Sequence, residues 1–277
     1  MPNKAWRGAI NQHLENQQEP LKEAIKEVVC IPSVIDEEGG GFPFGTAVDD
    51  VLRKTLEIAE GLGFRTKYGD EGYYGYAEVG ECDEMIAVLG HLDVVPAGTL
   101  DAWETNPFDP VEKEGKIFGR GTQDDKAPTL AALFAAKALM AAGVTFNKRL
   151  RFIFGTDEET LWRSVKRYIE REERPDMGFA PDSKFPMIFA EKGLLEFYLE
   201  ANNETGLNLS GGCAFNAVPD SIVYDGERQE ELVVTLDRLG YNYELDNGRI
   251  VVLGKAVHAS VAEKGINAIA RLAIALD

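Results

Sequence analysis

The strongest constraint in this chain is a pair of short, uninterrupted apolar runs, each ending in a cluster of acids or histidine. Met85-Ile86-Ala87-Val88-Leu89-Gly90 leads straight into His91-Leu92-Asp93, and Arg151-Phe152-Ile153-Phe154-Gly155-Thr156 leads into Asp157-Glu158-Glu159. A run this short, with no polar alternation, is the pattern of a strand covered on both faces. Between the two lies an Ala-rich stretch, Thr129 to Ala142, with Pro128 just ahead and Gly143 just after, which predicts a helix. Leu161 to Glu172 predicts an amphipathic helix with a charged outer face. Strand, helix, strand, helix in this order predicts an α/β fold: a mostly parallel sheet flanked by helices.

The flanks are less constrained. Residues 8 to 29 carry Leu14, Leu21, Ile25 and Val28 at helical spacing, and Ile31-Pro32-Ser33 stops that helix. A Gly-rich loop over 36 to 47, a helix over 48 to 61 and a strand from Tyr73 to Val79 follow. After about residue 193 the texture changes. Leu194 to Ala201, Ser221 to Tyr224, Glu231 to Thr235 and Arg249 to Leu253 read as strands, and Asn267 to Asp277 as a helix with no stop signal. The expected division is a catalytic-type unit over 1–192 and the start of an α+β unit over 193–277.

Charge narrows the function classes. Lys plus Arg number 29 against 47 Asp plus Glu, a net charge of −18. Nucleic acid and anionic membranes need a basic surface, so neither is an expected partner. No stretch approaches 18 apolar residues free of charge, and the N-terminus has no apolar core of signal-peptide type. The three cysteines, Cys30, Cys82 and Cys213, are odd in number and lack metal-ligand spacing. A reducing, cytoplasmic location is the expectation.

The chemistry-bearing residues fall where predicted strands end. In an open α/β sheet, ligands bind outside the carboxyl ends of the strands. His91 and Asp93 follow the first run and point to one side, so the carboxylate can orient the imidazole. Asp124-Asp125 precede the helix at 129; alone, such a pair reads as a helix cap. Glu158 and Glu159 follow the second run; alone, three acids in a row read as a solvated turn. Asp182 follows the short apolar stretch Met177 to Ala180, and alone it reads as an ordinary turn. Each cluster can deliver a side chain to the same sheet edge. A histidine with several carboxylates and no thiol suits a divalent metal such as zinc, and a carboxylate that is not a ligand can serve as general base.

The motifs carry a resemblance. GHLDVVPAG (90 to 98), W-x-x-x-PF (103 to 108), GRGTQDDKAP (119 to 128), GTDEET (155 to 160), PDSKFP (181 to 186), EKG (191 to 193) and GKAVHAS…KGINA (254 to 268) occur in order. They resemble the co-catalytic di-zinc metallopeptidases, which include aminoacylases, glutamate carboxypeptidases and carnosine-type dipeptidases. The dipeptidase branch is the most similar. The resemblance implies two zinc ions per complete site, with manganese or cobalt as substitutes, and a small peptide as substrate. It implies His91, Asp124, Glu159 and Asp182 as metal ligands, with Asp124 bridging and Asp182 on the other zinc from Glu159. Asp93 would orient or polarise His91, Glu158 would be the general base, and His258 would stabilise the oxyanion from a lid domain. It also implies a cis peptide after Asp124.

Two departures stand out. Ala127 replaces the family's usual glycine. The family's last zinc ligand is a late histidine, whereas this chain has only His13, His91 and His258. The expectation is therefore the N-terminal part of a longer enzyme, inactive or nearly so by itself. N-acyl amino acid deacylation or desuccinylation on the same site, and an inactive metal-binding fragment, are the rival readings.

Overall fold

The computed structural model describes residues 4–98, 100, 103–190, 193, 200, 202, 206–212 and 217–277. These divide into two compact units, Met1–Phe189 and Ala190–Asp277.

The first unit runs α1 (Lys4–Asn16), α2 (Gln18–Val29), α3 (Thr46–Gly61), β1 (Arg65–Gly69), β2 (Tyr74–Val79), β3 (Met85–His91), β4 (Val111–Lys113), β5 (Lys116–Phe118), α4 (Lys126–Ala141), β6 (Arg149–Gly155), α5 (Arg163–Arg171) and β7 (Met177–Phe179). Its main sheet has the order β1-β2-β6-β3-β7. The two apolar runs become its centre, β3 and β6, paired in parallel with His91 level with Gly155. β7 is also parallel to β3, while β2 and β1 extend the other side antiparallel. The register places the loops after β3, β6 and β7 at one sheet edge.

Period-two alternation divides the core. Val88, Phe152 and Phe154 face Leu52, Leu130, Leu133 and Phe134 of the helices on one side. Ala87 and Ile153 face Tyr168 of α5 on the other. Each such apolar side chain, fully buried, stabilises the fold by roughly 1.5–3 kcal/mol.

Several expectations are corrected. The helix over 8 to 29 is two helices, broken at Gln17. Pro20 has no N–H for the carbonyl of Asn16 and so belongs in a first turn, where it costs little. The helix expected over Thr129 to Ala142 starts at Lys126, with Pro128 inside its first turn. Ala127 sits in that helix, a conformation that needs no glycine.

The second unit has β8 (Asn208–Gly211), β9 (Ser221–Asp225), α6 (Gln229–Leu239), β10 (Tyr243–Asp246), β11 (Arg249–Leu253) and α7 (Ala268–Leu276). Its sheet, β10-β11-β9-β8, is antiparallel throughout. Ile222, Tyr224, Ile250 and Val252 pack with Leu232, Leu236, Ala268 and Leu272. The strand expected over Glu231 to Thr235 is helical. Leu232 and Leu236, four apart, are its buried face, and Gly240 in the left-handed region ends it. The strand expected over Leu194 to Ala201 lies outside the described residues, apart from Glu200.

Candidate metal centre

β3 ends on Gly90 and His91. A Cβ on Gly90 would stand 1.9 Å from Thr129 Oγ1, so glycine is what lets α4 approach the strand end. His91 is only 2% exposed. Its Nδ1 lies 3.0 Å from the main-chain oxygen of Asp93. A carbonyl only accepts, so Nδ1 carries the proton and Nε2 faces the acids. Nε2 stands 2.9 Å from Asp124 Oδ1, 3.5 Å from Asp182 Oδ2 and 3.8 Å from Glu158 Oε2. Burial alone lowers the His91 pKa, but the hydrogen bonds to Asp124, Asp182 and Asp93 prevail and hold it well above the usual value.

Asp93 meets the imidazole with two groups: its carbonyl at 3.0 Å and its carboxylate Oδ1 at 3.5 Å from Nδ1. The carboxylate also holds the turn after β6, with Glu158 N–H donating to Oδ1 at 3.1 Å and Glu159 N–H to Oδ2 at 3.0 Å. Glu158 and Glu159 are both pushed up to about 7, chiefly by burial and then by neighbouring acids, among them Asp124 and Asp93.

The Asp124–Asp125 peptide is cis. Asp125 is fully buried behind Gly90. Its Oδ2 accepts from Thr129 Oγ1 at 2.7 Å and from His91 N–H at 3.2 Å. Its Oδ1 has no hydrogen-bond partner among the described residues. Burial pushes this carboxyl up to about 7.

Two groups place ligand atoms within 4.8 Å of one another: His91, Asp124 and Glu159, and His91, Asp125 and Asp182. One nitrogen and several carboxylate oxygens, with no thiol, form a donor set for a hard to borderline divalent ion. The imidazole held by a carbonyl at its far nitrogen is the usual support of a ligating histidine. The buried, unpartnered Asp125 oxygen is a further acceptor close to the same residue. These residues fit a metal.

His258 belongs to the second unit, where it bridges Ala217. Glu191 and Lys192 of the EKG motif, and Cys213, lie outside the described residues.

Three residues that the sequence did not single out support the centre. Asp157 is fully buried. It accepts from Thr160 Oγ1, from Arg163 N–H at 2.8 Å and from Arg163 Nε at 2.7 Å, fastening the turn that carries Glu158 and Glu159. Arg120 lies over the Trp103 ring at 5.0 Å and adds a cation near Glu159 and Asp124. Lys126, fully buried, leads from the Asp124–Asp125 pair into α4. The available signal was position alone: Arg120 and Lys126 stand in GRGTQDDKAP and Asp157 in GTDEET.

The model of peptidase family M20/M25/M40 matches residues 87–274. The chain belongs to this family. "Putative dipeptidase YtjP" of Bacillus subtilis (strain 168) is 40% identical over 273 residues, covering 91% of this chain and 58% of that protein. "Putative dipeptidase SSP1012" of Staphylococcus saprophyticus is 33% identical over 285 residues, covering 95% of this chain and 59% of that protein. The chain thus spans somewhat under two thirds of these M20 relatives. Among solved structures, human carnosine dipeptidase 1 matches with a TM-score of 0.53 at 25% identity, over 64% of this chain and 41% of that one. The di-peptidase Dug1p of Saccharomyces cerevisiae matches at 0.51 and 24%, over 59% and 37%, a likeness of fold. The family is metal-dependent, in keeping with the donor set around His91.

Proposed function

We propose that this chain carries the metal centre of a dipeptidase-type metallohydrolase acting on dipeptides or related small amides. The observation that carries the reading is His91 Nε2 surrounded by Asp124, Asp182 and Glu158 within 2.9 to 3.8 Å. His91, Asp124, Glu159 and Asp182 are the residues that would hold two zinc ions. A bound divalent ion supplies Lewis acidity, which lowers the pKa of water toward ~7.

The protein side of the chemistry follows from the acids. Glu158, with its carboxyl near 7 in the metal-free site, is matched to take a proton from water at neutral pH. The water oxygen bonds to the amide carbon, the C–N bond breaks, and Glu158 returns the proton to the leaving amine. Asp93 holds Glu158 by its backbone, which fixes where that proton is taken. His258 is assigned to the oxyanion on the strength of its GKAVHAS motif alone. In the same reading, residues 1–192 are the catalytic domain and 193–277 part of a lid.

No helix among the described residues is long and apolar enough to cross a membrane. Cys30 and Cys82 are free thiols, in keeping with a reducing, cytoplasmic compartment. The test is a substrate panel with zinc added. Dipeptides hydrolysed faster than N-acyl amino acids support the reading. The reverse order makes the site a deacylase, and no hydrolysis of either by a zinc-loaded chain supports a metal-binding fragment.

A further inference from the structure

We propose that Lys126 and Ser33 are positioning residues that hold the loops of the metal centre in register by fastening both to one stretch of backbone, Val28 to Ser33. The proposal rests on the metal reading above. Lys126 is fully buried. Its Nζ donates to the carbonyl of Val28 at 2.9 Å and to that of Ile31 at 2.7 Å. The carbonyls at a helix C-terminus lack intrahelical donors and favour a cation, and Val28 lies at the end of α2. Among the described residues, these two carbonyls are the only hydrogen-bond partners of the Lys126 side chain. The residue that follows Asp124 and Asp125 is thereby tied across 95 or more positions to the N-terminal part of the chain.

Ser33 grips the other loop. It too is fully buried. Its Oγ donates to the Leu92 carbonyl at 2.6 Å, and its own carbonyl accepts from Val94 N–H at 3.0 Å. The two bonds bracket Asp93, whose carbonyl orients His91 and whose carboxylate holds Glu158 and Glu159. One short segment therefore sets the distance between the Asp124 turn and the His91–Asp93 loop. Neither residue touches the donor atoms; both act through the backbone that carries them.

The test is zinc affinity, measured by competition with a chromophoric chelator on samples shown to be folded by circular dichroism. The chain is compared with Ser33→Ala, Lys126→Met, Asp124→Ala and the control Thr55→Ala. Thr55 is equally buried, and its Oγ1 donates to Val51 O at 2.8 Å inside α3, so its loss costs stability without touching a loop of the site. Ser33→Ala and Lys126→Met should weaken zinc binding about 10- to 100-fold, as loss of the groups that support ligands does, with Thr55→Ala changing it less than about twofold. If Lys126→Met does not fold, Ser33→Ala, which removes a single hydrogen bond, decides. Affinities of both variants matching the parent chain, or matching Thr55→Ala, would overturn the proposal. A parent chain that binds zinc no better than Asp124→Ala would overturn the metal reading itself, and this proposal with it.

Discussion

The two carboxylate oxygens of Asp93 divide their work along one turn, and the second of them accepts the backbone N–H of Glu159 at 3.0 Å. The first takes the N–H of Glu158. A fully buried carboxylate thus couples the loop after β3 to the turn after β6. Asp93→Asn puts an amide N–H against one of these donors. The expected cost is about 1–3 kcal/mol of stability, the penalty for a buried bond left unmade. Urea denaturation checks it, and turnover should fall with it because Glu158 is displaced.

Glu158→Gln separates base from ligand. The amide keeps the shape and cannot take a proton. In a longer protein that contains this chain and turns over substrate, turnover should fall by about 10²–10⁴, the usual worth of a general base, while bound zinc is unchanged. Zinc lost along with activity would make Glu158 a ligand instead.

The pH dependence of the metal-free chain has a definite sign. Glu158, Glu159 and Asp125 are each raised to about 7, and His91 is raised above its usual value. In every case the folded chain binds more protons than the unfolded chain, so stability falls as pH rises, between about 4 and 7 for the three carboxyls and from about 6.5 upward for His91. Lys126, lowered to about 7 by burial, acts in the opposite sense only above that pH. Thermal melts in a chelator should show the melting temperature dropping between pH 5 and 7. Added zinc should raise it more at pH 7 than at pH 5, because the ion takes the place of those protons. A flat profile would show that the acids are not gathered as described.

Gly90→Ala tests the close approach of α4. The added methyl meets Thr129 Oγ1 at 1.9 Å and Asp125 Oδ2 at 2.8 Å, so these two side chains or the strand end that carries His91 have to shift. Overpacking of this kind costs about 1–3 kcal/mol. Zinc affinity should fall too, since the same shift displaces His91.

The parts of the fold that were legible are those where a single periodicity wins. β3 and β6 are buried on both faces, so their apolar runs admit one reading. Val233-Val234-Thr235 misled because a β-branched triplet hides the i, i+4 pair Leu232 and Leu236. β10 escaped as a short, mostly exposed strand, although Asn247 and Gly248, both at positive φ, mark a hairpin turn. His91, Asp124, Glu158, Glu159 and Asp182 were legible as polar residues at strand or helix ends. Lys126, Ser33 and Asp157 were not. The partners of Lys126 and Ser33 are backbone groups brought close only by the fold, and a carbonyl leaves no mark in a sequence; the partners of Asp157, Thr160 and Arg163, are local but read as an ordinary polar turn.

The most direct test of the central claim is the zinc content of the chain, of Asp124→Ala and of Asp125→Ala after dialysis against zinc and then against buffer. Asp124 stands beside His91 Nε2 at 2.9 Å, and Asp125 behind the strand on Thr129 and the His91 backbone. The expected result is zinc in the parent chain, most of it lost in Asp124→Ala and a smaller loss in Asp125→Ala. Equal zinc in the two variants would contradict it.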